Sequence, residues 1–366
     1  MAQGKKGILA FARVQSKRHK GSTLDDLVSF FQMLSTLLNA GTPLYNSLKI
    51  AGDQSESDKL SKVIKEIANH VAAGETFHQA AAAHPKVFEN HWIQMIRTGE
   101  VSGQLGILMT RLNENIKKTR ELRAKVTGAL IYPCILIGVA FASLFVMLYK
   151  VVPTFAEFFH DFGNQLPAIT VFVINLSHFL QEKGLYILAG LASAVYLFRK
   201  FIRTETGARQ FQSFLMTLPV VGELVVQSAM EKFASNLALL LKSGTPLLES
   251  LKTAQEIFKK NPVYFDAIGQ IHGAVSRGSN LVASVEATGL FTSMLTGMVK
   301  IGEESGKLSE VLGQVADYYA TRVENLVTTG TGMLEPLIVI GMGVMVCGLL
   351  ASIYIPMFQM AGGPGG

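Results

Sequence analysis

The chain reads FFQMLSTLLNAGTPLYNSL over residues 30–48 and FASNLALLLKSGTPLLESL over residues 233–251. The two stretches align without a gap at an offset of 203, which pairs Gly41 with Gly244. A pattern that occurs twice at a constant offset indicates an internal duplication.

The GTPL string inside each copy predicts a tight corner between two helices. Glycine favours the left-handed conformation that ends a helix, and proline is well suited to the first turn of the next one. In the first copy we expect Gly41 to end one helix, Thr42 to N-cap the next and Pro43 to be its first helical residue. Gly244 and Pro246 predict the same corner in the second copy.

Helical patterns fill the remainder of each copy. The first helix is expected to begin near Ser22, with Asp25 as the acid of a capping box. Further helices are expected over residues 58–73, 76–83 and 88–98, because Gly and Pro residues interrupt the apolar periodicity between them. No convincing strand pattern occurs, so each copy predicts a compact bundle of about six helices.

A second repeated string follows at the same offset. Residues 99–105 read GEVSGQL and residues 302–308 read GEESGKL. The second resembles a phosphate-binding loop, but three residues separate its glycines instead of four, and Lys307 is followed by Leu308. We therefore interpret both strings as helix–helix turns. The repeated motif residues are Gly99, Glu100 and Gly103 in the first copy and Gly302, Glu303 and Gly306 in the second.

Composition indicates a membrane protein. The chain of 366 residues is 49% hydrophobic and 16% charged, against about 25% charged residues in an average soluble domain. Residues 126–149 and 336–366 contain no charged residue. A helix of 24 residues, rising about 1.5 Å per residue, is long enough to cross a hydrocarbon core of about 30 Å.

Basic residues cluster beside the apolar stretches, which explains the net charge of +6 without nucleic acid as a partner. The positive-inside rule places residues 1–125 in the cytoplasm. Because the second bundle repeats the first, it should face the same compartment, and a middle span must return the chain. The expected membrane-flanking residues are Arg120, Arg123 and Lys125 before the first span and Arg199, Lys200 and Arg203 after the middle span.

The predicted middle span is shorter than the length that a helix normally needs to cross a membrane. Only 15 residues, 184–198, lie between its flanking charges, against about 17–25 normally needed. Residues 168–181 are also apolar, and they could form an interfacial helix or part of a longer tilted span.

We predict an all-α membrane protein with two duplicated cytoplasmic six-helix bundles and three transmembrane helices. The expected segments are a basic N-terminal arm (1–21), the first bundle (22–125), a first transmembrane helix (126–152), a periplasmic segment (153–183), a second transmembrane helix (184–202), the second bundle (203–330), a third transmembrane helix (331–358) and a short periplasmic tail (359–366).

The sequence offers no catalytic, cofactor or metal site. The histidines do not join Cys, Asp or Glu residues at ligand spacing. Cys134 and Cys347 lie inside apolar stretches, and we expect inert buried thiols. Pro133 and Pro336 are expected at the starts of spans, where a missing N–H costs little. Glu335 also lies at the start of a span, so an interfacial position is favoured over a transport pathway.

The two repeated strings, each followed by an apolar helix, resemble the PilC/GspF family. This family comprises inner-membrane platform proteins of type IV pilus and type II secretion systems. The resemblance rests on residues 37–44 with 99–105 and on residues 240–247 with 302–308, and it covers about residues 22–360.

What the resemblance implies is a protein without catalytic activity or cofactor in a bacterial inner membrane, with a cytoplasmic N-terminus and a periplasmic C-terminus. The implied partners are a hexameric cytoplasmic assembly or retraction ATPase, pilin or pseudopilin subunits, inner-membrane alignment proteins, membrane lipid and further copies of the chain, but no nucleic acid. Insertion of pilins into a type IV pilus is the favoured function. A type II secretion platform and, from another class, a transporter or channel are the alternatives.

Overall fold

The computed structural model is helical throughout its described residues, and no strand occurs among them. The all-α expectation is therefore confirmed for this part of the chain. The described residues are 23–161, 167–202, 204–219 and 221–361. The expected arm over 1–21, the helix start at Ser22, Arg203 and the end of the tail, 362–366, lie outside them.

Six helices of the first copy follow one another through short connections. They are α1 Leu24–Asn39, α2 Leu44–Gln54, α3 Asp58–Ala72, α4 Phe77–Ala82, α5 Asn90–Ser102 and α6 Leu105–Val146. A π-helix, Met147–Val151, continues α6, and α7 Val152–Asp161, α8 Ala168–Ile202 and α9 Glu205–Thr217 follow. The second copy repeats the first with α10 Val221–Lys242, α11 Leu247–Ile257, α12 Pro262–Ser276, α13 Leu281–Ala287, α14 Ser293–Ser305 and α15 Leu308–Ala361.

The start of α1 differs by one residue from the expected capping box. Thr23 is the N-cap, and its Oγ1 accepts a hydrogen bond from the N–H of Asp26 at 3.3 Å. In return, Oδ2 of Asp26 accepts from the N–H of Thr23 at 2.6 Å. The capping acid is therefore Asp26, and the assignment of that role to Asp25 was wrong. The N3 position is the one from which a carboxylate reaches back to the N-cap.

The GTPL corner ends a helix through paired backbone hydrogen bonds. In the first copy Gly41 has φ of 81°, and its N–H donates to Leu38 O while that of Thr42 donates to Leu37 O, both at 3.0 Å. This is a Schellman motif, which uses a left-handed residue that glycine adopts without strain. Pro43 is the N-cap of α2 and no side chain caps that helix, so the prediction of Thr42 as N-cap was wrong.

The corner in the second copy has the same geometry. Gly244 has φ of 88°, and the N–H of Thr245 donates to Leu240 O at 3.1 Å. Pro246 is the N-cap of α11. The two copies therefore use the same backbone solution at repeat-equivalent residues.

The second motif, which was expected to be a turn, is partly helical. Gly99 and Glu100 belong to the last turns of α5, and the chain turns only at Gly103, which has φ of 70°. A Cβ at Gly99 would lie 3.1 Å from the Cα of Leu105. Glycine is therefore needed where α5 passes close to the start of α6.

The repeated glutamate of this motif caps the short helix in its own copy. The N–H groups of Phe77 and His78 donate to Oε1 and Oε2 of Glu100 at 2.6 and 3.0 Å. A carboxylate is favourable here because the first N–H groups of a helix have no partner within the helix. The first copy adds a contact of 2.6 Å between Nδ1 of His78 and Oε2 of Glu100.

The second copy has an equivalent carboxylate but no equivalent histidine. The N–H groups of Leu281 and Val282, at the start of α13, donate to Oε1 and Oε2 of Glu303 at 2.9 and 3.1 Å. Val282 stands where the first copy has His78. The shared element is therefore the carboxylate on backbone N–H groups.

The described helices fall into two compact units. Of the described residues, the first contains 23–123 and 225–322, and the second contains those within 124–224 and 323–361. The first unit includes the helices of both bundles, and Leu239 and Leu240 of α10 belong to the apolar core of the first copy. Aromatic rings pack edge to face in that core, with the centroids of Phe31 and Trp92 5.9 Å apart. Such pairs add about 0.5–1.5 kcal/mol beyond the area that they bury.

The second unit contains the apolar parts of the long helices α6 and α15. Among the described residues, two helices are long and apolar enough to cross a membrane, Leu105–Glu157 and Leu308–Phe358, and each contains a stretch of 18 residues with a mean hydropathy of 2.4. Helix α8 is continuous over 35 residues, without a break at residue 184. It contacts both long helices, because Thr170 donates to Ser352 O at 2.8 Å and Ser177 donates to Leu148 O at 2.5 Å.

A pair of helices, Thr206–Thr217 and Val221–Lys242, passes the same hydropathy criterion when the two are counted together. Met230, Phe233 and Leu240 on the second helix are fully buried within the chain. We therefore assign α10 to the bundles, since its apolar face is already covered by protein.

Two expectations about the spans were wrong. Pro133 and Pro336 lie inside the continuous helices α6 and α15, not in their first turns. Neighbouring helices and local adjustments can compensate the lost hydrogen bond in a membrane segment. Cys134 and Cys347 are exposed on the surface of the protein instead of buried.

Replacing Glu303 by Gln should weaken the start of α13 by about 1 kcal/mol, because a neutral amide cannot accept from both N–H groups as a carboxylate does. The measurement is hydrogen exchange of the intact chain in detergent, read at the amides of Leu281 and Val282. Glu304 is exposed and lies next to Glu303 on α14, so Glu304→Gln is the matched control. Unchanged protection in Glu303→Gln would contradict the capping role.

Candidate functional site

The two copies meet within the first unit where α5 approaches the corner before α11. Arg97 Nη1 lies 3.2 Å from Oε1 of Glu249, and Oγ1 of Thr98 lies 3.3 Å from Oγ1 of Thr245. Arg111 donates to the carbonyl of Lys242 at 2.6 Å, which satisfies a terminal carbonyl of α10. The second motif of the first copy thus lies beside the GTPL corner of the second copy.

The reciprocal contact is absent from the described residues. No hydrogen bond or ion pair there joins Thr42 to Ile301, which is the repeat equivalent of Thr98. Within the part of the chain that the structure describes, the contact between the two kinds of motif therefore runs through Thr98, next to Gly99, and Thr245, between Gly244 and Pro246. Gly41 and Pro43, like Gly302 and Gly306, remain in corners of their own copies.

A polar cleft adjoins this contact, between α6 of the first copy and α10 of the second. It consists of two cavities of about 300 and 240 Å³, which share Asn115, Leu122, Glu231 and Ser235. Nδ2 of Asn115 donates to Oγ of Ser235 across the cleft at 3.1 Å. Most other polar lining residues are charged: Arg111, Glu114, Lys118, Lys242, Glu310 and Asp317 in the larger cavity, and Glu89, Arg123 and Lys232 in the smaller.

His91 is a buried histidine in the wall of the smaller cavity. Burial, with a smaller contribution from the positive charge of Lys232, lowers the pKa of His91 to about 3. The ring is therefore neutral at physiological pH. Its Nδ1 has no hydrogen-bond partner among the residues that the structure describes, and Oε2 of Glu89 is 3.6 Å away, beyond hydrogen-bond distance.

Glu231 lies in the wall between the two cavities. Burial raises the pKa of Glu231 to about 7, although Lys232 and Lys118 oppose the shift and Asp317 adds to it. A carboxyl group with such a pKa changes protonation near neutral pH. The cleft therefore contains one group whose charge responds to physiological pH.

The expected membrane-flanking residues occupy different environments. Arg120 forms an ion pair with Asp25, and Lys125 forms one with Glu324 at 2.7 Å. Arg123 lines the smaller cavity. Arg199 and Lys200 lie in the last turn of α8 and are exposed, and Arg203 lies outside the described residues.

Sequence reasoning missed a series of contacts between α6 and α15. Lys118 pairs with Asp317 at 2.7 Å, Lys125 pairs with Glu324 at 2.7 Å, and the Tyr132 hydroxyl donates to Oε1 of Glu335 at 3.1 Å. Both members of each pair increase in number along the series, so the two helices run parallel. The seven-residue spacing of Lys118, Lys125 and Tyr132 could have indicated one face of a helix.

The arrangement suits binding and positioning more than bond-making chemistry. The described residues contain no group of three or more His, Cys, Asp or Glu side chains that could hold a metal ion. The polar features are caps, helix-to-helix pairs and a cleft lined by charges of both signs. Such features fix one helix against another and can bind ionic groups of a partner.

Replacing Glu231 by Gln should remove the contribution of this group to the pH dependence of the free energy of unfolding. The folded-state pKa of about 7 exceeds the ordinary value of 4.5, so the folded state holds the proton more tightly. That stabilisation is complete below about pH 4.5 and is lost as pH rises through about 7. We expect wild type to lose about 1–3 kcal/mol from this group between pH 5 and 8, and Glu231→Gln to lose none of it.

The measurement is thermal unfolding of the intact chain in detergent at several pH values, compared between variants. Glu114, an exposed carboxylate in the same cleft, gives the matched control Glu114→Gln, which should keep the wild-type pH dependence. Identical pH profiles for wild type and Glu231→Gln would contradict the raised pKa.

Comparison with known proteins agrees with the duplication. The family model described as type II secretion system (T2SS), protein F, matches residues 30–153 and again residues 233–356. The two matches are offset by 203 residues, which is the offset between the repeated strings.

Curated relatives match most of the chain. The type IV pilus assembly protein PilC of Pseudomonas aeruginosa is 34% identical over 336 residues, which cover 92% of this chain and 90% of the relative. PilC of Myxococcus xanthus is 32% identical over 92% of this chain and 81% of its own length. The type II secretion system protein F of Pseudomonas aeruginosa is 29% identical over 98% of this chain and 86% of its own length. The chain therefore belongs to the type II secretion system protein F family, the PilC/GspF family that its repeated motifs resemble.

Proposed function

We propose that this chain is the inner-membrane platform of a type IV pilus, which couples a hexameric cytoplasmic ATPase to the insertion of pilin subunits. Its two apolar helices and its family membership indicate an inner-membrane protein with a platform role in a pilus or a secretion system. One observation carries the choice of the pilus. Within Pseudomonas aeruginosa, the pilus protein is more similar to this chain than the secretion protein is, at 34% against 29% identity.

The structural support for coupling is the pair of long helices. Helix α6 runs unbroken from Leu105 to Val146 and α15 from Leu308 to Ala361. Each begins among the charged residues of the bundles and continues into an uncharged stretch. In this proposal the ATPase acts on the bundles, and the paired helices transmit the displacement to the membrane-embedded subunit.

The proposed topology has three spans, over residues 126–152, 184–202 and 331–358. The N-terminus and both bundles, 22–125 and 203–330, lie in the cytoplasm, and residues 153–183 and the C-terminal tail lie in the periplasm. The basic residues before the first span and at the end of α8 support this orientation. Because both bundles lie in the cytoplasm in this proposal, the chain must cross the membrane an even number of times between them.

The proposed partners follow from the two environments of the chain. The bundles, with their charged cleft, would bind the ATPase, and the spans would contact pilin, inner-membrane alignment proteins, lipid and other copies of the chain. Apolar side chains such as Phe141, Val344 and Phe358 are exposed on the long helices, as expected for contact with lipid or with other membrane helices. Neither a cofactor nor nucleic acid is part of this proposal.

A type II secretion platform that handles pseudopilins is the second candidate, and it is favoured by the match of both halves to the protein F model. A transporter or channel lacks comparable support. Polar pathway residues are expected inside transporter spans, whereas residues 126–149 and 336–366 contain no charged residue.

Deletion of the gene should abolish surface fibres, while pilin is still processed to its mature form, because processing precedes insertion. Fibres are counted by electron microscopy and processing is followed by immunoblot. A secretion assay on the same strain separates the two candidates, since export of folded proteins should persist if the chain serves a pilus. Normal fibres in the deletion strain would refute the platform proposal for a pilus.

Single cysteines test the topology in a background with Cys134 and Cys347 replaced by Ala. Cysteines at Glu56 and Lys260, exposed neighbours of Ser55 and of the α12 cap Asn261, should be shielded from an impermeant thiol reagent in intact cells. A cysteine at Asn164, which lies outside the described residues, should be labelled. All three should react after permeabilisation, and labelling at Lys260 but not at Glu56 in intact cells would contradict three spans.

A further inference from the structure

Glu335 is the only charged residue between residues 325 and 366. It lies on α15 immediately before the uncharged run that begins at Pro336. An ionisable residue inside or at the edge of a membrane segment is costly unless it is paired, and such residues commonly mark functional sites.

The contacts of Glu335 leave its charge uncompensated within the described residues. The Tyr132 hydroxyl donates to Oε1 at 3.1 Å. No Lys, Arg or His lies within ion-pair distance of Glu335 there. The next acid before it on α15, Glu324, has the ammonium group of Lys125 at 2.7 Å. Of these two neighbouring contacts between α6 and α15, the one at Glu324 therefore includes a cation and the one at Glu335 does not.

The surface around the pair is open to a partner. Tyr132 is 56% exposed, and Leu334 and Leu337 beside Glu335 are 42% and 66% exposed. One to two helical turns further along, a Cβ built at the repeat-equivalent Gly138 or Gly341 would meet nothing within 4 Å. The carboxylate therefore faces outward among apolar side chains, and the nearby glycines permit a close approach of another helix.

We propose that Glu335, held by Tyr132, is the docking point for a membrane helix of the transported subunit that carries an ammonium or guanidinium group at this depth. The inference rests on the proposed platform function, which supplies a membrane-embedded subunit as the partner. Charge complementarity favours this occupant, because a cation would complete the pair that Glu335 lacks, and the exposed apolar side chains would pack against the rest of the helix.

A second copy of this chain has exposed cations in Arg199 and Lys200 at the end of α8, but its first span has none. Residues 126–149 offer no cation at the depth of Tyr132, and Lys125 is already paired with Glu324. An amine-bearing lipid could neutralise the charge but would not require a particular subunit. These two occupants are outcomes of the test.

The test is photocrosslinking in cells that naturally express the full chain, with a photoreactive amino acid in place of Leu334. The crosslinked adducts are identified by mass and by immunoblot. With wild-type Glu335 the main adduct should contain the pilin or pseudopilin subunit. Glu335→Gln should reduce this adduct by about tenfold, which corresponds to about 1.4 kcal/mol. Glu335→Asp should retain most of it, because the charge persists. Glu324→Gln, which removes the already paired acid, is the matched control and should crosslink like wild type.

Rescue gives an independent readout. Glu335→Lys should abolish the subunit adduct, and replacing the cation nearest the docked end of the subunit helix by Glu should restore it. Wild-type crosslinking in Glu335→Gln, or adducts with only lipid or a second copy of the chain, would overturn the inference. Such a result leaves the platform proposal standing if the deletion strain lacks fibres, whereas normal fibres in that strain refute the platform itself.

Discussion

The parallel contact between α6 and α15 is the interaction on which the described parts of this chain depend. Three side-chain pairs, 118 with 317, 125 with 324 and 132 with 335, follow one another along the two helices. The first two join exposed charges, and such ion pairs contribute only about 0–1 kcal/mol each. Their importance is geometric, because they fix which residue of one long helix lies opposite which residue of the other. The caps at Glu100 and Glu303 join the short helices α4 and α13 to α5 and α14, the helices that precede these long ones.

Much of the fold could be predicted from local chemistry. The GTPL string specified a corner because Gly at a left-handed position and Pro at a helix start have few alternatives. The errors also have local causes. Thr42 has a hydroxyl suited to capping, but α2 begins at Leu44, one residue later than expected, so Pro43 takes the N-cap position instead. Pro133 and Pro336 did not end or begin a helix, because membrane segments tolerate interior proline better than soluble helices do.

The site was less predictable, since its properties arise from packing between distant segments. Nothing adjacent to Glu231 in the sequence indicates a raised pKa, and the pKa of about 7 follows from burial. His91 likewise loses its proton affinity only where α5 is covered by other helices. The roles of Glu100 and Glu303 were partly visible as a repeated motif, but their targets lie more than 20 residues earlier in the chain. The sequence therefore marked which residues matter more readily than it showed what they contact.

The facing positions of Tyr132 and Glu335 are repeat equivalents, separated by the same 203 residues as the two strings. In a symmetric homodimer of a single copy, these positions would carry the same residue, so two carboxylates or two phenols would face each other. Two carboxylates so close would repel one another and one would take up a proton. Fusion of the copies into one chain removes this restriction. It allows a single negative charge to be placed beside a hydrogen-bond donor where two repeat-equivalent positions face each other.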